Sequence, residues 1–322
     1  MNRPLREWLE FTGLTAAAHL IAQLDFRSLR GLAAFVGSVV YFFDARGRKL
    51  ALANIEAAFP GKYSSRQKCR IARKSYCSFA RTMFELFWAP NMNEAFVKEH
   101  VVIEGLDRDT YCTDPTKPAI YSCMHFCNFE WLSLVTSYYM KRVLVVAQKF
   151  RNPLLGPIFD NLRSSTGNQI IPQERAMLKM LKHIKTGGKM GILVDLNIHP
   201  QEGSIPIKTF GGLMISATPA HIAIAQRTGA VIVPIECRPL PDGRYKIIHH
   251  DPIECPPDAD TRELAQKCWD ILEPGLREFP ECWLWAYKHW RHKPSANAER
   301  YPFYASNNPR FDALLNSMPS EI

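Results

Sequence analysis

The stretch Ala119-Ile-Tyr-Ser-Cys-Met-His-Phe-Cys-Asn-Phe-Glu-Trp131 carries the pattern from which the rest of the chain can be read. Ala119 to Met124 is a short apolar run that reads as a strand, and Phe129 to Tyr139 reads as a helix. His125 and Glu130 fall at their junction, separated by four residues. On one continuous helix, residues five positions apart point about 140° away from each other. They face one another only if His125 ends the strand and Glu130 lies in the first turns of the helix. That is a common place for functional residues in an α/β sheet. A carboxylate that fixes an imidazole makes a general base near neutral pH. No G-x-S-x-G nucleophile motif accompanies the pair. The competing reading is an ordinary hydrogen-bonded histidine at a helix start, so the flanks decide.

Downstream the strand–helix alternation continues. Val143 to Ala147 reads as a strand, Leu154 to Arg163 as a helix and Gln169 to Ile171 as a short strand. A helix over Glu174 to Lys185 stops at Gly187-Gly188, and Met190 to Val194 is a further strand. Asp195 to Gly212, rich in Pro and Gly, reads as a long loop. A helix over Ala217 to Thr228, strands over Val231 to Ile235 and Tyr245 to His249, and a helix over Arg262 to Phe279 complete the pattern. The alternation predicts an α/β fold with a mixed, mostly parallel sheet flanked by helices.

Upstream, residues 44–100 read as helical and basic. Lys62, Arg66, Lys68, Arg70, Arg73 and Lys74 carry six positive charges with no acid between them. A solvated helix face and a lipid-headgroup contact both account for them. Trp8 to Leu24 and Gly31 to Phe43 are apolar runs broken by Asp25, Arg27 and Arg30. Each falls short of the roughly 20 residues of a transmembrane helix. Glu7 and Glu10 also interrupt the start of a signal-peptide pattern. With Arg46, Arg48 and Lys49 following at once, a membrane-anchoring helical segment over 1–45 is expected, placed on the cytoplasmic side. The main domain then runs over 46–305 and a tail over 306–322.

The 322 residues carry a formal net charge of +9, which suits an anionic partner. Neither a zinc-finger spacing nor an RNA-recognition aromatic signature is present, so a nucleic-acid binder rests on charge alone. Nine cysteines are scattered with no C-x-x-C pair, as expected in a reducing compartment. Cys123, His125 and Cys127 lie close together, but no fourth ligand stands at a zinc-like spacing, so no metal is expected.

Six blocks stand in a telling order: Asn54-Ile-Glu-Ala-Ala-Phe-Pro60; His125 to Glu130; Arg151-Asn-Pro-Leu-Leu155 with Leu162-Arg-Ser164; Val194-Asp-Leu-Asn197 with Ile205 to Gly211; Val231-Ile-Val-Pro234; and Trp285-Ala-Tyr-Lys-His-Trp290 with Lys293-Pro294. Together they resemble the late acyltransferases of lipid A biosynthesis, the lauroyl and myristoyl transferases within the lysophospholipid acyltransferase superfamily. The resemblance covers about Phe42 to Pro294. Asn197 stands where a second aspartate is usual, and Tyr287-Lys288-His289 has one firm charge where the family often has two arginines.

The resemblance implies a glycerolipid acyltransferase-like fold. It also implies transfer of a fatty acyl chain from an acyl thioester, on acyl carrier protein or acyl-CoA, to a hydroxyl of a lipid A precursor. No cofactor is expected beyond that co-substrate. His125 would be the general base, with Glu130 holding its tautomer as the acid does in a Ser-His-Asp triad. The acceptor hydroxyl replaces the serine, so no covalent acyl-enzyme is required. Arg163 and Asp195 are carried over as site residues, with Lys149 and Arg151 as substrate contacts. A guanidinium recognises phosphate with two parallel hydrogen bonds, which lysine cannot do. The implied setting is the cytoplasmic face of a bacterial inner membrane. Another membrane lipid as acceptor, or an inactive membrane scaffold, are the alternatives.

Overall fold

The computed structural model describes residues 3–140, 143–174, 176–200, 203–296 and 298–317. Four helices lead the chain: α1 (Arg3–Ala22), α2 (Phe26–Phe43), α3 (Ala45–Ala58) and α4 (Ser65–Trp88). Asp25 starts α2 by accepting from the N–H groups of Arg27 and Ser28, and a reciprocal Ser64/Gln67 capping box starts α4. Then follow α5 (Glu94–His100), β1 (Val101–Glu104), α6 (Thr110–Thr113), β2 (Ala119–Cys123), α7 (Phe129–Thr136), β3 (Val143–Ala147), α8 (Gly156–Ser164), β4 (Gln169–Pro172), α9 (Ala176–Lys185) and β5 (Lys189–Leu193). A β6 (Ile205–Thr209) and β7 (Leu213–Ala217) hairpin precedes α10 (Ala220–Thr228), β8 (Val231–Pro239), β9 (Tyr245–His249) and α11 (Thr261–Glu278). The short β10 (His292–Lys293), β11 (Ser306–Asn307) and α12 (Pro309–Asn316) come last.

Seven strands form one sheet in the order β1-β9-β8-β2-β5-β3-β4, and all neighbouring pairs are parallel except β8 with β9. The α/β reading therefore holds. Strand β2 is central and every one of its residues is buried, as a parallel strand covered on both faces requires. Helices α7 and α8 pack with α4, whereas α9, α10 and α11 pack together. Right-handed crossovers place those two groups on opposite faces, since the chain steps outward after β2 and β3 and inward after β4 and β5. The connections leaving the adjacent strands β2 and β5 thus diverge. The resulting crevice at their carboxyl ends is the topological switch point where open α/β sheets bind ligands.

The expected loop over Asp195 to Gly212 is corrected in its second half. Ile205–Thr209 is a strand paired antiparallel with Leu213–Ala217. Between them Phe210, Gly211 and Gly212 have φ of 44°, 71° and 132°. Pro206 and this Gly-Gly turn masked a hairpin as a loop. The expected helix from Ala217 starts at Ala220 instead, because residue 217 closes β7. Strand β1, at one edge of the sheet, is an element that the sequence pattern did not signal.

Among the described residues α2 is the one helix long and apolar enough to cross a membrane, by length and composition. It is bound into the fold along one face. Leu29, Ala33, Gly37 and Tyr41 are buried, and a Cβ on Gly37 would come within 2.6 Å of the Cys77 backbone. Arg30 reaches the fully buried Glu85 at 2.6 Å. The opposite face leaves Leu32, Phe35, Val40, Phe42 and Phe43 exposed.

Candidate active site

Strands β2 and β5 run side by side with Cys123 paired to Leu193. Two residues beyond each partner stand His125 and Asp195. The register alone therefore brings them face to face across the crevice, although they are 70 positions apart. The backbone continues the pairing, with the Val194 N–H donating to the Cys123 carbonyl at 2.9 Å. Asp195 Oδ1 lies 2.8 Å from His125 Nδ1, and its Oδ2 accepts the His125 backbone N–H at 3.0 Å. The indole N–H of Trp283 also donates to Oδ2, at 2.8 Å. A carboxylate that can only accept puts the neutral ring's proton on Nδ1, leaving the lone pair on Nε2.

This overturns the assignment of Glu130 as the carboxylate that holds the imidazole. Glu130 does lie in the first turn of α7, but its oxygens are taken by Arg163. Arg163 Nη2 donates to Oε1 at 2.7 Å, and Nε donates to Oε2 at 3.0 Å and to Oε1 at 3.3 Å. A buried carboxylate needs a charged partner, and the fork of a guanidinium supplies two parallel bonds. Arg163 comes from the end of α8, and Glu130 and Arg163 act on His125 only through space. Asp195 was anticipated as a substrate contact; the geometry makes it the imidazole's partner.

The charges follow from burial. Desolvation opposes the imidazolium, yet the Asp195 carboxylate, its hydrogen bond and the Glu130 charge together raise the His125 pKa above its ordinary value. For Asp195 burial works toward neutrality, but His125 and the Trp283 N–H hold its pKa below the usual carboxylate range. The side chain of His125 keeps 15% exposure while that of Asp195 has none, so the imidazole is the member a substrate can reach.

The turn between β2 and α7 is held from two sides. Cys127 takes a left-handed φ of 51°, which costs a non-glycine residue about 1 kcal/mol. Its N–H donates to the Cys282 carbonyl at 2.8 Å, and its own carbonyl accepts from Thr82 of α4 at 2.9 Å. Phe126 bridges antiparallel to Trp283. Asn128 caps α7 by accepting the Trp131 N–H, while its amide donates to Glu85 at 2.5 Å. A narrow cleft opens beside His125, lined by Ser75, Phe79, Cys127, Phe129, Cys282, Trp283 and Leu284.

Lys149 and Arg151 follow β3, at the same sheet edge, but neither is brought into contact with His125. Lys149 pairs with Glu174 at 2.6 Å on the surface, and Arg151 is exposed. Asn152, between them and α8, donates to the Glu7 carbonyl and to Glu10 of α1 at 2.8 and 3.1 Å. Several family-like blocks turn out to be clamps. Asn54 donates to the carbonyls of Trp285 and Tyr287 at 2.8 and 2.7 Å, tying the first block to the last. Asn197 is buried and donates to the His289 carbonyl at 2.9 Å. An ionised aspartate could not donate that bond, so at this departure from the family pattern the amide N–H has a role within the fold. His289 itself is buried, its pKa lowered to about 4 by desolvation, and stacks on Trp283 at 3.8 Å.

Cys123, once a candidate ligand beside His125, instead has its thiol 3.5 Å from the Ile192 carbonyl. Among the described residues the ligand atoms of Asp109, Cys112 and His249 lie within 4.8 Å of one another. Asp109 already accepts from the Cys112 N–H, the Tyr121 hydroxyl and His249 Nδ1, at 3.1, 3.1 and 2.8 Å. That cluster is a hydrogen-bonded hub that ties β2 to β9. Trp283 was the site residue that the sequence reading missed. It stands two residues before the Trp285 block, and its only signal was a dense run of tryptophans.

The arrangement is suited to removing a proton from a substrate hydroxyl at His125 Nε2. Residues 2–292 match the family model described as bacterial lipid A biosynthesis acyltransferase. The chain is also 22% identical over 300 residues, 92% of its own length and 95% of the relative's, to a lipid A biosynthesis lauroyltransferase of Escherichia coli (strain K12). With the match running from the first helix to the last of the tryptophan blocks, this chain belongs to the bacterial lipid A biosynthesis acyltransferases.

Proposed function

We propose that this protein transfers a fatty acyl chain from an acyl thioester, on acyl carrier protein or CoA, to a hydroxyl of a lipid A precursor. His125 Nε2 takes the hydroxyl proton as the oxygen attacks the thioester carbonyl. The tetrahedral intermediate collapses by expelling the thiolate, which recovers a proton from the imidazolium. No acyl-enzyme is formed. Asp195 stabilises the imidazolium, as the buried acid does in a Ser-His-Asp triad. General base assistance of this kind contributes about 10²–10⁴-fold.

The observation that carries this reading is the His125–Asp195 pair at the switch point, with Nε2 left for a substrate. Arg163 supplies positive charge nearby. Among the described residues its Nη1 makes no hydrogen bond, so it is available to a carbonyl oxygen or lipid phosphate. Lys149 and Arg151 extend that charge along the same sheet edge as exposed surface contacts. The cleft beside His125 accepts the reacting end of a substrate, and a long acyl chain needs its apolar walls to part. The exposed faces of α1 and α2, with Trp8, Phe35, Phe42 and Phe43, suit association with the inner-membrane surface, where the acceptor lipid is presented.

The test is transfer of labelled acyl chain from carrier protein or CoA to a lipid A precursor, together with mass spectrometry of cellular lipid A with and without the protein. Transfer to the precursor by the wild type and its loss in His125→Ala are expected. Transfer to a glycerophospholipid in place of the precursor would reassign the acceptor, and undiminished turnover by His125→Ala would remove the base.

A further inference from the structure

We propose that Trp283 is a positioning residue of this site, its indole N–H holding the Asp195 carboxylate in the orientation from which it braces His125. The inference rests on the reading of His125 as the base and adds a third member to the pair. Asp195 Oδ2 accepts two hydrogen bonds, one from the His125 backbone at 3.0 Å and one from Trp283 at 2.8 Å, while Oδ1 meets the ring. Without the indole, Oδ2 keeps only the His125 backbone donor, and the plane of the fully buried carboxylate is less firmly fixed.

Trp283 is itself held by four contacts, two on its backbone and two on its ring. Ser75 of α4 donates to the Trp283 carbonyl at 2.6 Å, and the Phe126 bridge ties its backbone to the turn that carries His125. Phe210, from the β6–β7 turn, packs on the ring at 5.4 Å, and His289 stacks on it at 3.8 Å. The burial of His289 keeps it neutral at ordinary pH, so it supports the indole without competing for the carboxylate's charge. A tryptophan held for packing alone has no need to aim its N–H at a buried carboxylate oxygen. Here the one polar atom of the ring meets the one carboxylate oxygen that the imidazole does not use.

The titratable and charged groups around the pair are Glu130 from α7, Arg163 from α8, Cys123 from β2, and Tyr287 and His289 from the carboxyl-terminal segment. All remain when only the indole N–H is removed. Replacing Trp283 by benzothienylalanine, which puts sulfur in place of the N–H at nearly constant shape, isolates that bond. Trp283→Phe is the genetically encoded companion, checked for folding by its melting curve. A carboxylate that loses a donor becomes more basic, so the His125 imidazole, followed by NMR and assigned with His125→Gln, should titrate about half to one pH unit higher. The kcat for acyl transfer should fall about tenfold, the scale of one hydrogen bond to a charged group, with KM for both substrates unchanged. A His125 titration in the benzothienyl variant that coincides with wild type, or lies below it, overturns the proposal. The NMR readout needs no turnover. A wild-type protein without acyl transfer would therefore sink the functional reading and leave this one decided separately.

Discussion

Two carboxylates sit at the same edge of the sheet and do different work. Asp195 meets an imidazole and an indole, and its partner His125 is a group that gains and loses a proton. Glu130 meets the fork of Arg163, whose charge is permanent. The first pair can pass a proton to and from a substrate. The second can only hold a charge in place. Sequence spacing had linked His125 to Glu130, and the difference shows that adjacency in the chain is a weak guide to adjacency at a strand end. A parallel sheet delivers residues from separate strands to one crevice, and there the nearest carboxylate comes from the neighbouring strand.

The largest effect expected is from His125→Ala, which should lower kcat for acyl transfer by about 10³–10⁴-fold with the far-UV circular dichroism unchanged. Asp195→Asn comes next, at about 10²–10³-fold, because the amide no longer stabilises the imidazolium. It should also move the acid limb of kcat/KM to lower pH. Glu130→Gln should move that limb by less, since Glu130 acts on His125 only across space. A larger shift from Glu130→Gln than from Asp195→Asn would make Glu130, and not Asp195, the carboxylate that governs the imidazole.

The pH dependence separates activity from stability. The raised His125 pKa requires the acid limb of wild-type kcat/KM to lie above 6.5, since the base works only when neutral. The stabilising contribution of the same group has the opposite sign. It is fully present below the unfolded-state pKa of histidine and is lost as pH rises through the higher folded value. The lowered pKa of Asp195 gives a contribution that is present above its unfolded value and lost as pH falls through the folded one. Activity therefore rises over the window in which His125 ceases to stabilise the fold. Chemical denaturation followed across that window, beside the rate profile, measures both.

Arg163→Ala should cost stability more than it costs kcat. It leaves Glu130, whose side chain is only 5% exposed, as an unpaired buried charge, a loss of about 3 kcal/mol by urea denaturation. KM for the acceptor should rise if Nη1 contacts it. The smallest effect belongs to Lys149→Ala, because its pair with Glu174 lies on the surface, where such pairs contribute about 0–1 kcal/mol. A change of less than about threefold in kcat/KM is expected there.

Much of the outline was legible in the chain. The apolar runs at β2, β3, β5, β8 and β9, and the helices between them, announce themselves through periodicity and Gly stops, which act over a few residues. The β6–β7 hairpin was not legible, because Pro206 and Gly211-Gly212 carry the composition of a loop and the pairing is between segments. His125 was singled out as the candidate base from its place at a strand end. Its partner and Trp283 were not, since neither relation has a signature in local spacing. Asn54 and Asn197 belong to recognisable blocks, yet their work as clamps on the carboxyl-terminal segment appears only when both ends of the chain are folded together.

What the sequence determined by itself is the succession of strands and helices, because side-chain period, β-branching and turn chemistry are properties of neighbours in the chain. What only the tertiary structure decided is the company His125 keeps. The pairing of Cys123 with Leu193 sets residues 125 and 195 opposite each other, and the bridge from Phe126 to Trp283 brings in the indole. Strand register is a cooperative outcome of packing the whole sheet, and a shift of one residue would have turned Asp195 to the other face.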